Sequence, residues 1–393
     1  MVSLSSSLEV PALMVELLST CIDAAVHGCT IIRSVQQEDA TLLEVSYKEE
    51  WDPRSAITRA DIDAQRAIVS SLRHYWELKG ENLNLVGEEE DVGESNGSTN
   101  APPQIRGDLL GQNGSMSFFT PLGLDQSSEP FDADSLSKVT IYVDPLDGTR
   151  EFVDGRYENV TCLIGIAIDG KPVGGVVGVP FASFSHSSIQ CPCEVHVVYG
   201  LVGFGIGHFT GTYDQGRKTL SLHTQTGQPG VPPALSCCPN LPNSSAHAVC
   251  VDKSSTVVFM TGDSFAESPM LSSVLSVARD IVAEEGIDSI QHTVIGGAGK
   301  KMLLCAYASC DSLAVPKFSF KKQSTYLWDT CAPEAILRAV GGKVTDIFGS
   351  PLVYSGRRGS EYNSEGNSLR NSSGVIASSL HAQRYHNSIC QKM

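Results

Sequence analysis

The stretch from Tyr142 to Phe152, Tyr-Val-Asp-Pro-Leu-Asp-Gly-Thr-Arg-Glu-Phe, sets the carboxylates Asp144 and Asp147 three positions apart, with Pro145 between them and Gly148-Thr149 directly behind. Its approach, Val139 to Val143, is a β-branched and aromatic run suited to a strand buried on both faces. Asp144 therefore stands where a strand is expected to end. Pro145 cannot donate to a sheet ladder, so the chain is expected to leave the sheet there and fold Asp147 back toward Asp144. Gly148 permits close backbone approach, and Thr149 with Arg150, Glu151 and Phe152 can open a helix whose first amides point into the same space. Carboxylates facing free N–H donors suit a hard cation on one side and a phosphate on the other, because magnesium takes oxygen ligands and leaves positions for substrate oxygens. A solvated turn draws on the same residue types.

Three further acidic stretches follow related rules. Leu83 to Asp91 is an apolar strand, a glycine and then a burst of acids, Glu88, Glu89 and Glu90. Asp61 lies at an expected helix N-terminus, and Asp329 follows Trp328 at the start of an apolar helix. Each has a structural account as a solvated charge run or a helix cap, and each has a chemical one as part of a cation site.

Leu13 to Val35 carries apolar residues at helical spacing, and Ile62 to Val86 reads as a helix running into a short strand. Residues 91–137 turn to Gly, Ser, Asn, Pro and Asp, the composition of a long surface excursion. Thr161 to Phe181 is a hairpin turning at Asp169-Gly170, so the first half should hold an antiparallel sheet. The second half alternates: strand 256–260, helix 268–285, strand 289–295, helix 301–308, strand 311–316, helix 329–340 and strand 342–346, the order of a layered α/β domain. Two units are expected, residues 1–190 carrying most of the acidic candidates and residues 191–393 carrying Asp329.

Composition limits the partners. With 393 residues, a formal charge of −16 and no Lys/Arg block, nucleic-acid polymers and anionic membranes are poor partners, and an anionic substrate would need a cation to approach. No apolar run reads as a membrane span, and the chain start lacks the charged leader of a signal peptide, so a cytoplasmic setting is expected. The 12 cysteines are scattered without zinc-knuckle spacing. A monomer or a homodimer is expected.

In order, Gly87-Glu88-Glu89, Asp144 to Thr149, and Trp328-Asp329 resemble the signatures of the inositol monophosphatase superfamily, magnesium-dependent and lithium-sensitive phosphatases. Arg150-Glu151-Phe152, Gly296 to Lys301 and Trp328 to Gly349 look like its 3'(2'),5'-bisphosphate nucleotidase branch. The resemblance implies a five-layered αβαβα sandwich of the inositol monophosphatase/fructose-1,6-bisphosphatase type. It implies two or three magnesium ions held by Glu88, Asp144, the Leu146 carbonyl, Asp147 and Asp329. It further implies an Asp61–Thr149 dyad orienting the attacking water, with Glu88 or Glu89 nearby, and substrate contacts at Gly148, Thr149, Thr261, Ser264, Gly297, Lys301 and Asp329. The substrate so implied is a small phosphorylated molecule, 3'-phosphoadenosine 5'-phosphate, hydrolysed to AMP and phosphate.

The pattern departs from that branch in two places. The branch carries a Ser/His-bearing segment after the first strand of its second domain, whereas Met260 to Phe265 has no histidine and adds Asp263. Phe318 to Tyr326 reads as an insertion bearing Lys321 and Lys322. An inositol polyphosphate 1-phosphatase or inositol monophosphatase, and a catalytically silent metal-binding relative, are the alternatives.

Overall fold

The computed structural model describes residues 11–38, 45–47, 56–89, 102–112, 136–182, 194–223, 256–262, 275–280, 283, 289–311, 314–321, 325–355 and 369–392. The apolar periodicity near the N-terminus becomes helix α1, Ala12–Gln36, which packs against α2, Arg59–Glu77. By length and composition α1 could cross a membrane, contrary to the expectation from sequence that no run does. Here most of it is buried in protein: Leu17, Leu18 and Ile22 join Ile68 and Leu72 of α2 against the first sheet.

Among the described residues that sheet has seven strands in chain order. They are β1 (Asn84–Gly87), β2 (Val139–Asp147), β3 (Thr161–Ile168), β4 (Lys171–Val179), β5 (Glu194–Leu201), β6 (Gly205–Asp214) and β7 (Thr219–His223). β1 pairs parallel with β2, and every later pair is antiparallel. The β3–β4 hairpin turns on Asp169 (φ 48°) and Gly170 (φ 75°), the two positive φ values that a tight Asp-Gly turn requires. The sheet takes in residues 194–223, so strands on both sides of the expected boundary near residue 190 share one ladder.

Beyond the sheet lies a middle layer of two helices, α4 (Ala298–Cys310) and α5 (Leu327–Ala339); the short helix α3 (Thr149–Val153) follows β2 directly. Met302, Leu303, Trp328, Ile336 and Leu337 fill the space between Leu163, Val177 and Val198 on one side and Val258 and Met260 on the other. The second sheet runs β9-β8-β10-β12-β11, where β8 is Thr256–Thr261, β9 Ser289–Val294, β10 Lys317–Lys321, β11 Lys343–Thr345 and β12 Val375–Ser378. Its far face, Val257, Phe259, Phe318, Phe320 and Ile376, is covered by Leu275, Ala278 and the last helix α6 (Gln383–Lys392) through Tyr385 and Ile389. The layers are therefore helix, sheet, helix, sheet, helix, the architecture that the sequence resemblance implies.

Two local expectations are corrected. The strand expected at 311–316 lies instead at Lys317–Lys321, and Phe318 to Lys321 of the supposed insertion belong to central strand β10, parallel to β8 and antiparallel to β12. Alternation in Phe318-Ser319-Phe320 is the local signal for it, and packing of both phenylalanines under Phe259 selects it. Nor does β2 end at Asp144: it continues through Asp147 across an irregularity.

Candidate active site

The irregularity decides where the paired carboxylates point. Asp144 pairs with Leu163 and Asp147 with Thr161, so three steps along β2 match two along β3, and one extra residue is accommodated at Pro145-Leu146. In a regular strand, residues three apart face opposite sides. The bulge restores equal parity, so both carboxylates face the middle layer, where Leu163 packs. Proline is tolerated because a bulge relieves it of a ladder bond. The Leu146 amide donates to Asp144 Oδ1 at 3.1 Å.

Neighbouring strand ends complete the acidic corner. Gly87 ends β1 opposite Val143, and the Glu88 amide donates to the Val143 carbonyl at 2.9 Å, delivering Glu88 beside Asp144. Their carboxyls share a hydrogen bond. Gln65 of α2 brackets the next residue: its Oε1 accepts the Glu89 amide at 3.0 Å and its Nε2 donates to the Glu89 carbonyl. Burial drives Asp144 well above the usual carboxylate range, and the charges of Glu88, Asp147 and Asp329 push it further.

Asp61 serves two neighbours with two oxygens. Oδ2 accepts the Thr58 amide at 2.7 Å and the Thr58 hydroxyl at 2.6 Å, closing the N-terminus of α2, while Oδ1 accepts the Thr149 hydroxyl at 2.8 Å. One carboxylate thus bonds both Thr58 at the helix start and Thr149 just past the end of β2. Burial raises Asp61 to about 7, with a contribution from the Glu88 charge, against the Thr58 and Thr149 hydrogen bonds. Gly148 precedes Thr149 in the left-handed region (φ 89°), and the Leu146 carbonyl lies 3.2 Å from the Thr149 hydroxyl.

Asp147 and Asp329 tie this corner to the middle layer. Asp147 accepts the Ala298 and Gly299 amides at the start of α4, at 3.0 and 2.8 Å, and the Thr161 hydroxyl at 3.0 Å. A Cβ on Gly297 (φ 70°) would meet its Oδ2 at 2.8 Å, so glycine there is a condition of the contact. Asp329 Oδ2 accepts the Tyr326 amide at 3.1 Å and pairs with Lys321 Nζ at 3.5 Å. Burial raises Asp329 to about 6; Lys321 opposes the rise, and Glu88 and Asp147 add to it.

Helix α5, which carries Asp329, sits on a row of glycines that lies outside every acidic motif named above. Gly165, Gly175 and Gly200 are cross-strand neighbours on β3, β4 and β5. A Cβ would meet the Ala332 amide nitrogen at 2.6 Å from Gly165, the Ala332 carbonyl at 2.3 Å from Gly175 and Ile336 Cα at 3.2 Å from Gly200. Glycine inside a strand signals close backbone approach, the clue available in the sequence. Glu151 anchors the loop after α3. Its buried carboxylate takes Arg156 bidentately at 2.7 and 2.8 Å and Asn159 at 2.8 Å, and a Cβ on Gly296 would strike it.

The candidate substrate contacts are placed unevenly. Thr261 is fully buried, with its hydroxyl 2.8 Å from His292 Nε2 on β9. Lys301 is buried and donates to the Ile295 carbonyl at 3.0 Å and to the Gly297 carbonyl; Lys300 is buried too. Ser264, like Phe265 and Lys322, lies outside the described residues.

Among the described residues no group of three or more acidic, His or Cys side chains stands close enough to enclose an ion. The chemistry of the set nevertheless fits a hard cation. Its donors are oxygens, and Glu88, Asp147 and Asp329 each raise Asp144, a repulsion that positive charge relieves. Glu88, Asp144, the Leu146 carbonyl, Asp147 and Asp329 are the residues that would hold it.

The chain aligns with 3'(2'),5'-bisphosphate nucleotidase 1 of Dictyostelium discoideum at 27% identity, covering 95% of each chain. With inositol monophosphatase 3 of Danio rerio it is 25% identical, covering 88% of this chain and 78% of the relative. Among solved structures, inositol monophosphatase-II from Staphylococcus aureus superposes with a TM-score of 0.50 at 15% identity, covering 97% of this chain and 96% of the other, a likeness of fold. The Inositol monophosphatase family model matches residues 14–391, nearly the whole of the layered structure just described, and the chain belongs to that family.

Proposed function

We propose that this protein is a magnesium-dependent phosphomonoesterase that hydrolyses 3'-phosphoadenosine 5'-phosphate to AMP and phosphate. The observation that carries the reading is the bulge at Pro145-Leu146, which turns Asp144 and Asp147 to one face beside Glu88 and Asp329, with the Asp61–Thr149 pair adjoining. Phosphatase chemistry is what the family and its named relatives support, and magnesium dependence is general in the family. Magnesium, when bound, supplies the positive charge that lets an acid-lined site accept a phosphate dianion and acidify water.

The remaining work falls to side chains of this protein. The Thr149 hydroxyl proton points to Asp61 Oδ1, which leaves the oxygen lone pairs of Thr149 to accept from a water and fix its direction. That water attacks phosphorus as the bond to the ester oxygen breaks, with no covalent enzyme intermediate; one of its protons ends on the departing oxygen and the other stays with the released phosphate. The adenosine bisphosphate is favoured by the nucleotidase relative, aligned over 95% of both chains. An inositol phosphate is the second reading, supported by the Danio rerio relative and by the absence of histidine in Met260 to Phe265.

Purified protein with magnesium, offered the adenosine bisphosphate, inositol 1,4-bisphosphate and inositol 1-phosphate in turn, should release phosphate fastest from the first. Turnover of an inositol phosphate alone would reject the nucleotidase reading. Failure to turn over any of them would favour a silent metal-binding relative.

A further inference from the structure

β10 runs parallel to β8 with Phe320 beside Thr261, so Lys321 emerges at the edge where the carboxyl ends of β8, β9 and β10 come together. In open α/β sheets such an edge is where ligands gather. Gly262 and the Gly296-Gly297 turn stand on the same edge, and Asp329 faces it from the start of α5.

Among the described residues, three lysines near this edge differ in what they can do. Lys300 and Lys301 are 2% and 3% exposed, and the Lys301 ammonium is taken up by the carbonyls of Ile295 and Gly297. Lys321 keeps 39% of its side chain in solvent, and its Nζ lies 3.5 Å from Asp329 Oδ2, whose side chain is only 14% exposed. The carboxylate is fixed from two sides, by the Tyr326 amide and by a helix seated on glycines. Of the two partners, the lysine has the freedom to leave. A divalent cation approaching Asp329 meets that ammonium at the same oxygen and repels it.

We infer that Lys321 is an exchangeable counterion: it neutralises Asp329 until a divalent cation takes that carboxylate, and the released ammonium then holds the anionic phosphate group of the substrate. This rests on Asp329 being a metal ligand under the proposed function. It gives a chain of charge −16 a cation that becomes available to an anion only once metal is in place. Lys321 acts as a positioning residue, and binding of metal and of phosphate becomes mutually favourable.

Calorimetric titration of chelator-treated protein with manganese, without substrate, tests the first half. Lys321→Met should bind the ion about two- to fivefold more tightly than wild type, the range a partly exposed ion pair supports, and Lys321→Arg should match wild type. Titration of the metal-loaded proteins with inorganic phosphate tests the second half: Lys321→Met should bind it at least about fivefold more weakly, with Lys321→Arg again retaining affinity. Wild type that binds manganese while Lys321→Met shows unchanged manganese or unchanged phosphate affinity overturns the exchange. Wild type that binds no manganese instead removes the metal reading of Asp329. Circular dichroism of all three proteins separates these results from misfolding, and Lys321→Gln repeats the test should the methionine variant not fold.

Discussion

The Thr149 hydroxyl donates to Asp61 Oδ1 at 2.8 Å across 88 positions of sequence, while the other oxygen of Asp61 holds Thr58 and closes α2. The Thr149 contact, catalytic under the proposed function, and the helix cap share one carboxylate, so the two can be separated only from the threonine side. Thr149→Val removes the hydroxyl and leaves the cap. We expect kcat to fall about 100-fold or more with little change in thermal midpoint, whereas Asp61→Ala should lose activity and about 1 kcal/mol or more of stability together. Equal stability losses in both variants, read by thermal melts beside steady-state kinetics, would contradict the division.

Asp144 makes a prediction of opposite signs. Its buried carboxyl is raised first by burial and then by Glu88, Asp147 and Asp329. Asp144→Asn keeps an acceptor for the Leu146 amide and removes the repulsion. The metal-free variant should be more stable than metal-free wild type by about 1 kcal/mol, yet lose the rise in thermal midpoint that magnesium gives wild type. Denaturation with chelator and with magnesium reads both quantities. Chelation should abolish wild-type turnover, and a lithium dose series should depress it, as is typical of the family.

The glycine row under α5 predicts a cost at a distance from the acids. Gly175→Ala places a methyl against the Ala332 carbonyl, with no flexible side chain to give way. Stability should drop by about 1 to 3 kcal/mol, and because α5 carries Asp329, metal affinity should weaken as well. Chemical denaturation and metal titration of this variant should therefore move together; a fall in stability with unchanged metal affinity would show that α5 tolerates the shift.

Stability of the metal-free protein should also respond to pH through Glu334, which is buried on α5 and bonded to the Tyr354 hydroxyl at 2.7 Å. Burial raises it to about 7, against the opposing effects of Tyr354 and Arg338. An acid with a raised folded value holds its proton in the folded state after the unfolded chain has released it. Its contribution is complete below about pH 4.5 and declines as pH rises toward 7, by up to about 3 kcal/mol. Glu334→Gln should flatten that part of the pH–stability profile; an unchanged slope would assign it to other groups.

Sequence alone carried the local grammar: the β-branched approach to Asp144, the Asp-Gly hairpin, the α1 periodicity, and the order of the acidic motifs. These depend on neighbours within a few positions, where side-chain branching and turn chemistry act. Tertiary structure decided the rest. The bulge that turns Asp144 and Asp147 to one face exists only in the register of β2 with β3, and the strand at Lys317–Lys321 only under Phe259. Asp61 has a second partner only because α2 packs beside β2, and Lys321 meets Asp329 only because the end of β10 lies against the first turn of α5. The physical reason is the same throughout: which carboxylate a hydroxyl or an ammonium reaches is set by the packing of distant segments, a choice that residue types and spacing along the chain leave open.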